Sequence, residues 1–384
     1  MVNNFGRLSP TGRRFGSKEI NNSESITFER YKRRLEIKAR ERGIPLTGLF
    51  ELTPLCNFDC KMCYAHLTTD QLMQNRILTV TQWKSLIDQA FAEGMFSATL
   101  SGGECLTYPG FKELYLYLHS LGCEISVLSN GALLDEKWAH FFEKHKPARI
   151  QITLYGNNDE SYERVTGHLQ FNSVLENIKR LSEMELPLKL TVTPNQYLGE
   201  AVFDTIKLAK SLCRDININP GLFTPREETG RADHDDDLDM EYYLRIYRFS
   251  RELDGYKIEQ IPDEKLPPIG GPHHECRECG LECGGGRSNF TIDWKGILRP
   301  CNRLQMIEAY PLKDGFKAAW QTIHREVSDW PKVPECEGCA YRPVCNTCAA
   351  NMLQFTEPGK QPIKWCERTK YFVRHGVWQI PDCD

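Results

Sequence analysis

The chain has 384 residues, 40% of them hydrophobic, and carries a formal net charge of -4 with a pI of about 6.2. That length builds one large domain with a smaller one, or two medium ones, each with its own core. The slightly acidic balance gives no basic surplus to make nucleic acid the default partner, and no apolar run reaches the ~18–20 residues that a membrane span needs.

In chain order, residues 1–47 are polar and charge-rich and read as an extension, with one helix expected over Phe28–Arg42 that carries Tyr31, Leu35 and Ile37 on one side. Met1–Lys18 lacks the apolar core of a secretory signal, which points to the cytoplasm. From residue 48 apolar β-prone runs alternate with helix-like stretches. The runs are Gly48–Leu52, Ser97–Leu100, Glu124–Leu128, Arg149–Leu154, Leu188–Val192 and Ile216–Asn219. Between them, helices are expected over Thr81–Glu93, Phe111–Leu121, Asp135–His145, Phe171–Met184 and Glu200–Leu212. Thr79 and Asp135 stand at N-cap positions, and Gly94 and Gly122 at C-cap positions. Alternation of this kind implies parallel strands joined by right-handed crossovers. Six units make an α/β partial (β/α)6 TIM-like barrel over residues 48–222, with its site at the C-terminal ends of the strands. Residues 223–275 follow as an acidic linker, a helix over Glu241–Glu252 and a Pro/Gly-rich hinge, and Thr224–Asp239 within them reads as a solvated loop. A cysteine-rich domain is expected over 276–384.

Cysteine is the outlier, with 16 in the chain. Three lie at 56–63, Cys105, Cys123 and Cys213 are scattered, and the other ten follow residue 275. So polarised a distribution, with repeated Cys-x-x-Cys pairs, suits metal ligation in a reducing compartment better than disulfides. Cys56, Cys60 and Cys63 follow the first strand with the spacing C-x3-C-x2-C. Three thiolates on one loop can hold three irons of a [4Fe–4S] cube and leave the fourth open to a small ligand. The competing reading is a zinc knuckle that borrows a fourth ligand such as His66.

This loop, with Met62 ahead of the third cysteine, resembles the hallmark of the radical S-adenosylmethionine (SAM) superfamily. Gly102-Gly103-Glu104 after the second strand resembles the family's G-G-E, which binds the SAM amino group; the two glycines let the backbone approach a ligand closely, and Glu104 supplies an anion for the ammonium. Ser129-Asn130-Gly131 resembles the S/T-N-G near the SAM ribose. Gln151 to Gly156 resembles the strand-four segment, from which Gln151 and Thr153 are carried over as cofactor contacts, with Tyr155 where relatives often have Asp. Arg164 matches an arginine that meets the SAM carboxylate. The resemblance implies reductive cleavage of SAM to a 5′-deoxyadenosyl radical, which abstracts a hydrogen atom from the substrate. No catalytic acid or base is assigned from sequence.

The C-terminal cysteines resemble the SPASM domain of radical SAM enzymes that modify peptides and proteins. By that resemblance two auxiliary [4Fe–4S] clusters are implied. Cys283, Cys301 and Cys348 belong to the first, completed by Cys279 or Cys276 or, where neither binds, left with an open iron for substrate; Cys336, Cys339, Cys345 and Cys366 ligate the second. The spacing from Cys345 to Cys348 is x2 where x3 is usual. A pair of zinc ribbons is the alternative, and Cys383 reads as a bystander. The SPASM type implies a peptide or protein substrate, first of all maturation of a ribosomally made peptide by crosslinking, thioether formation or epimerisation. A ferredoxin- or flavodoxin-like electron donor and a separate leader-recognition protein are the implied partners. Haem-pathway chemistry and sulfatase maturation are neighbouring readings; the latter requires an Asp where this chain has Asn302. A non-catalytic iron–sulfur or zinc scaffold is the reading from outside the enzymes.

Overall fold

A computed structural model describes residues 28–68, 70–71, 77–219, 222, 225–226, 229, 239–267, 283–345, 348–353 and 356–380. The chain forms two compact units. The first is Gly43–Leu238 with Gly286–His324, and the second is Val2–Arg42, Asp239–Gly285 and Arg325–Asp384.

The first unit is a βα repeat. Its strands are β1 (Thr47–Glu51), β2 (Ser97–Ser101), β3 (Glu124–Ser129), β4 (Arg149–Leu154), β5 (Leu188–Val192) and β6 (Ile216–Ile218). Its helices are α1 (Val80–Ala92), α2 (Phe111–Ser120), α3 (Glu136–Lys144), α4 (Asp159–Thr166), α5 (Phe171–Glu183) and α6 (Ala201–Leu212). β1 to β6 pair in parallel in sequence order, the partial barrel expected from the alternation. Two further strands, β7 (Asn289–Ile292) and β8 (Leu298–Arg299), extend the sheet beyond β1. They are short and lie among the later cysteines, so residues 286–324, read from sequence as part of the cysteine-rich domain, fold with the barrel.

Local chemistry sets the helix ends. α1 opens on a capping box: Thr79 Oγ1 accepts from the Gln82 N–H, and the Gln82 side chain accepts from the Thr79 N–H. Asp135 accepts from the Trp138 N–H at 3.0 Å to start α3. α4, which the sequence reading missed, also has local signals: Asn158 accepts from the Ser161 N–H, and Gly167 ends the helix at φ +75°. The helices bury residues at i, i+3, i+4 and i+7, such as Phe111, Leu114, Tyr115 and Leu118 on α2. In β3 and β4 the side chains alternate between full burial (Ile125, Val127, Ile150, Ile152, Leu154) and half-burial (Ser126, Leu128, Gln151, Thr153). The buried row faces the helices. The half-buried row is the polar face to which the site belongs.

In the second unit the helices Met240–Leu253 and Ile363–Arg374 join through a ring cluster, with Tyr247 against Phe372 at 5.4 Å and Phe372 against Trp378 at 4.9 Å. The Arg368 guanidinium lies 4.8 Å from the Tyr243 ring centre and 5.1 Å from that of Trp365. The helix Phe28–Arg42 forms as expected, but Tyr31 and Ile37 are exposed and Ala39 is buried, so its apolar side is not the one expected. Two of the three apolar residues were isolated on an otherwise charged helix and defined no face. Within Thr224–Asp239, read from sequence as a solvated loop, Arg226 and Thr229 are buried; most of the stretch lies outside the described residues.

Gly48 tests the packing on the helix side of β1. Phe50 meets Trp83 and Phe290 edge-on, each at 5.9 Å, and a Cβ on Gly48 would fall 2.6 Å from the Phe290 ring and 2.8 Å from Phe50. Gly48→Ala overpacks this layer and is expected to cost ~1–3 kcal/mol, at ~2–4 °C of Tm per kcal/mol for a unit this size. Calorimetry reads it, and an unchanged Tm would refute this account of the layer.

Candidate active site

The loop after β1 carries Cys56, Cys60 and Cys63 and has no regular structure of its own, so other elements must hold it. The end of β2 holds its first part. The Leu52 N–H donates to the Ser101 carbonyl at 2.9 Å, Gly103 N–H to Thr53 at 2.7 Å, and Glu104 N–H to Leu55 at 2.8 Å. A Cβ on Gly102 would lie 2.4 Å from the Thr53 carbonyl oxygen, and one on Gly103 2.4 Å from that of Leu55. The sequence reading attributed these glycines to the approach of a ligand. The backbone they admit is that of the cysteine loop. The C-terminal turn of α4 holds the second part, where the Asp59 N–H donates to the Thr166 carbonyl and the Lys61 N–H to that of Val165, both at 3.0 Å.

The sulfurs are already hydrogen-bonded. Cys56 Sγ accepts from the Phe58 N–H at 3.4 Å and from Asn130 Nδ2 at 3.6 Å, and Cys63 Sγ accepts from the His66 N–H at 3.3 Å. Cys60 and Met62 are buried. Burial pushes the Cys56 thiol up to about 12, and Glu104 and Cys63 add to the rise against the opposing hydrogen bonds. A bound cation reverses this preference, because metal ligation requires the thiolate. His66 Nδ1 faces Asp59 Oδ1 at 3.3 Å. Beneath the loop the Phe58 ring stacks on His168 at 5.7 Å and meets Tyr155 edge-on at 6.1 Å. Burial raises the Tyr155 phenol well above its usual value, and Cys60, Cys56 and Cys63 push it the same way.

Glu104 is fully buried. Its Oε2 accepts from the Asn130 N–H at 2.7 Å and from the Ser129 hydroxyl at 3.1 Å, and its Oε1 accepts from the Leu106 N–H at 3.2 Å. Burial raises its carboxyl against these bonds. The carboxylate therefore braces the end of β3 against the end of β2. Asn130 passes the brace on, since its Nδ2 also donates to Asn57 Oδ1 at 2.7 Å. Four of the expected positions thus form one hydrogen-bonded chain from Glu104 through Ser129 and Asn130 to Cys56.

On β4, Gln151 and Thr153 lie on the half-buried face. Gln151 Oε1 is buried with no partner, as is Thr191 Oγ1 of β5, the strand partner of Thr153. Orphaned acceptors on neighbouring strands are costly unless a polar ligand meets them. Arg164 is engaged elsewhere. Its Nε donates to the Tyr197 carbonyl at 2.7 Å, its Nη2 approaches that of Leu198 at 3.5 Å, and its Nη1 faces Glu160.

The sequence reading missed a second polar cluster at the same ends of the strands. Glu51, the last residue of β1, accepts from Arg226 Nη2 at 2.6 Å and from the Tyr64 hydroxyl at 3.1 Å. Asn302 Nδ2 donates to the Tyr64 oxygen at 3.0 Å, and the Arg226 guanidinium lies 4.7 Å from the Trp294 ring centre. All of this is buried: Glu51 is 0% and Arg226 4% exposed, so each charge depends on the other. The Glu51 carboxylate also raises the Tyr64 phenol, second to burial itself. A charged residue that ends an apolar strand was the available signal at Glu51; Arg226 had none.

Cys301 follows β8 in the first unit, and the Leu304 N–H donates to its sulfur at 3.3 Å. Cys283 and Cys348 lie in the second unit, Cys283 exposed and Cys348 half-buried. Cys276, Cys279 and Cys383 lie outside the described residues. In the second unit Cys336, Cys339, Cys345 and Cys366 line one cavity of about 340 Å³ with Glu335, Arg342 and Thr369. Every described cysteine is a free thiol. Cys105 is buried, with its sulfur 3.2 Å from the Leu128 carbonyl, and Cys123 and Cys213 are half-buried apart from the cysteine loop. No helix among the described residues is long and apolar enough to cross a membrane.

Residues 50–228 match the Radical SAM superfamily. An AdoMet-dependent heme synthase of Methanosarcina barkeri is 24% identical over 341 residues, 83% of this chain and 95% of that protein. A sporulation killing factor maturation protein, SkfB, of Bacillus subtilis is 28% identical over 282 residues, 71% of this chain but only 64% of that protein's length. A probable GTP 3′,8-cyclase of Saccharolobus solfataricus is 30% identical over 270 residues, 67% of this chain and 83% of that protein. Among solved structures, Streptococcus suis SuiB bound to its precursor peptide SuiA superposes with a TM-score of 0.62 at 14% identity, over 92% of this chain and 84% of that one, a likeness of fold. With a three-cysteine loop after β1, held by a Gly-Gly-Glu segment after β2 of a parallel partial barrel, the chain belongs to the radical SAM superfamily, whose members use SAM and a [4Fe–4S] cluster.

Proposed function

We propose that this radical SAM enzyme modifies a peptide, most directly a ribosomally made precursor, with the [4Fe–4S] cluster on Cys56, Cys60 and Cys63. Three thiols on one loop, with amide and Asn130 donors already on two of the sulfurs, are a donor set that suits iron–sulfur ligation. Bound there, the cluster and SAM supply the electron and the 5′-deoxyadenosyl radical that takes a hydrogen atom from the substrate.

The chain's own residues bind, orient and exclude water. The Gly102–Gly103 segment fixes the loop, and Glu104 fixes the Ser129–Asn130 turn that meets it. Glu104 then acts on the SAM amino group through the backbone it holds as much as through its own charge, because its oxygens are saturated within the fold. Gln151 Oε1, with Thr153 on the same face, offers an unmet acceptor to a polar part of SAM. Met62, buried within the loop, packs beside it. Arg164 holds the chain between β5 and α6 and serves the cofactor only indirectly. In the second unit the thiols of Cys336, Cys339, Cys345 and Cys366 would hold an auxiliary cluster. The family resemblance implies a third on Cys283, Cys301 and Cys348, with Cys279, Cys276 or neither as the fourth ligand. The described cysteines are all free thiols, which suits a reducing cytoplasm, where a ferredoxin or flavodoxin supplies electrons and a separate protein can recognise a leader.

The observation that carries the substrate class is the likeness to a killing factor maturation protein, together with a fold shared with an enzyme captured on its precursor peptide. A second reading is chemistry on a haem precursor, favoured by the match to nearly the full length of a heme synthase. Mass spectrometry of products from short peptides encoded near the gene, against a haem precursor, separates them. Product from the tetrapyrrole alone would overturn the peptide reading.

Two further outcomes are expected. Anaerobically reconstituted protein should hold about twelve irons per chain. Cys56/Cys60/Cys63→Ala should lose about four of them and all formation of 5′-deoxyadenosine, and zinc in place of iron would refute the cluster assignment. Glu104→Gln keeps the side chain's size but cannot satisfy all four of its donors, so SAM affinity should fall at least tenfold, ~1.4 kcal/mol, with iron content unchanged. Asn130→Leu should instead speed iron loss, by removing the donor to Cys56. Equilibrium dialysis and iron release read the two, and unaltered SAM binding in Glu104→Gln counts against the brace.

A further inference from the structure

The four thiols proposed for the second auxiliary cluster are not surrounded evenly. Arg342 belongs to the same turn as its cysteine neighbours. Its N–H donates to the Cys339 carbonyl at 2.9 Å, and the residue lines the thiol cavity. Thr369 donates its hydroxyl to Cys345 Sγ at 3.6 Å, and Gln361 Nε2 donates to Cys366 Sγ at 3.8 Å. Two of the four sulfurs thus have a hydrogen-bond donor from the cavity wall directed at them, and Arg342 brings a cation to the same wall. Glu335 is the opposing charge on that wall.

We infer that Arg342, aided by Thr369 and Gln361, sets the auxiliary cluster of Cys336, Cys339, Cys345 and Cys366 to a raised reduction potential, so that it accepts an electron readily. This rests on the cluster assignment made above. When a [4Fe–4S] cluster takes one electron it gains one unit of negative charge and no bond is made or broken. A guanidinium beside it, and donors to its sulfurs, stabilise the more negative form. Arg342 is a positioning residue here: it touches ligands of the cluster and not the substrate.

The test separates the two claims. In the Cys56/Cys60/Cys63→Ala background, so that the SAM cluster is absent, iron is counted and the auxiliary signals are followed by electron paramagnetic resonance during a dithionite titration. Replacing Cys336, Cys339, Cys345 and Cys366 by Ala should remove about four irons and one signal; if neither changes, the cluster assignment fails and the inference falls with it. Arg342→Gln should keep the iron and lower the reduced-to-oxidised ratio of that signal at least tenfold at fixed potential, about 59 mV for one electron. Arg342→Lys should keep the charge and recover most of the shift, and Thr369→Val should give a smaller shift of the same sign. Full iron with an unmoved midpoint in Arg342→Gln overturns the inference alone. Should Arg342→Gln lose iron, Thr369→Val decides by the same criterion, and an unmoved midpoint there overturns it.

Discussion

Everything at the first site depends on one close approach between two backbones, that of Gly102–Gly103 against Thr53–Leu55. The cysteine loop makes few regular hydrogen bonds within itself, so its order is borrowed. β2 lends three hydrogen bonds at its end, and α4 lends two carbonyls that its helix leaves unpaired. Neither glycine tolerates a Cβ there, because what it would strike is carbonyl oxygen and not a side chain that could swing away. The Gly-Gly pair is therefore a requirement of the loop before it is one of any ligand. A change in SAM binding and a change in cluster retention can then arise from the same residues by different routes.

The second constraint is the polar face of the sheet. In a closed eight-stranded barrel the interior is filled by branched apolar side chains. Here the strands present Gln151, Thr153 and Thr191, and at the edge beyond β1 they present Glu51, Asp293 and Arg299. The charges are paired, Glu51 with Arg226 and Arg299 with Asp293 and Glu308. Paired burial of this kind adds little to stability compared with apolar packing. What it provides is a fixed array of donors and acceptors. The acceptors left without partners, Gln151 Oε1 and Thr191 Oγ1, mark where the protein alone does not complete the array.

Much of this was legible in the sequence, and the parts that were not share a cause. The six parallel strands were readable because each is an apolar run between capped helices, and caps such as Thr79 and Asp135 are local signals. The cysteine loop was readable because ligand spacing is also local. β7 and β8 escaped because they have four and two residues and no periodicity of their own. The strand character of β7 comes from pairing with β1, more than two hundred residues away in the chain, and that of β8 from pairing with β7. Arg226 escaped for the same reason. It lies in an acidic, polar stretch that reads as solvated, and only contact with Glu51 and Trp294 shows that it is buried. Glu104 was found, but its role was assigned from chemical type. A buried carboxylate that accepts four donors also braces the fold, and sequence cannot tell such a carboxylate from an exposed anion.

The two sets of thiols sit in opposite electrostatic surroundings. At the first, the fully buried Glu104 carboxylate adds to the rise that burial gives the Cys56 thiol. At the second, Arg342 lines the same cavity as the four thiols. With clusters bound as proposed, a carboxylate near one and a guanidinium near the other would set their potentials apart, because a neighbouring cation stabilises the more negative, reduced form and an anion opposes it.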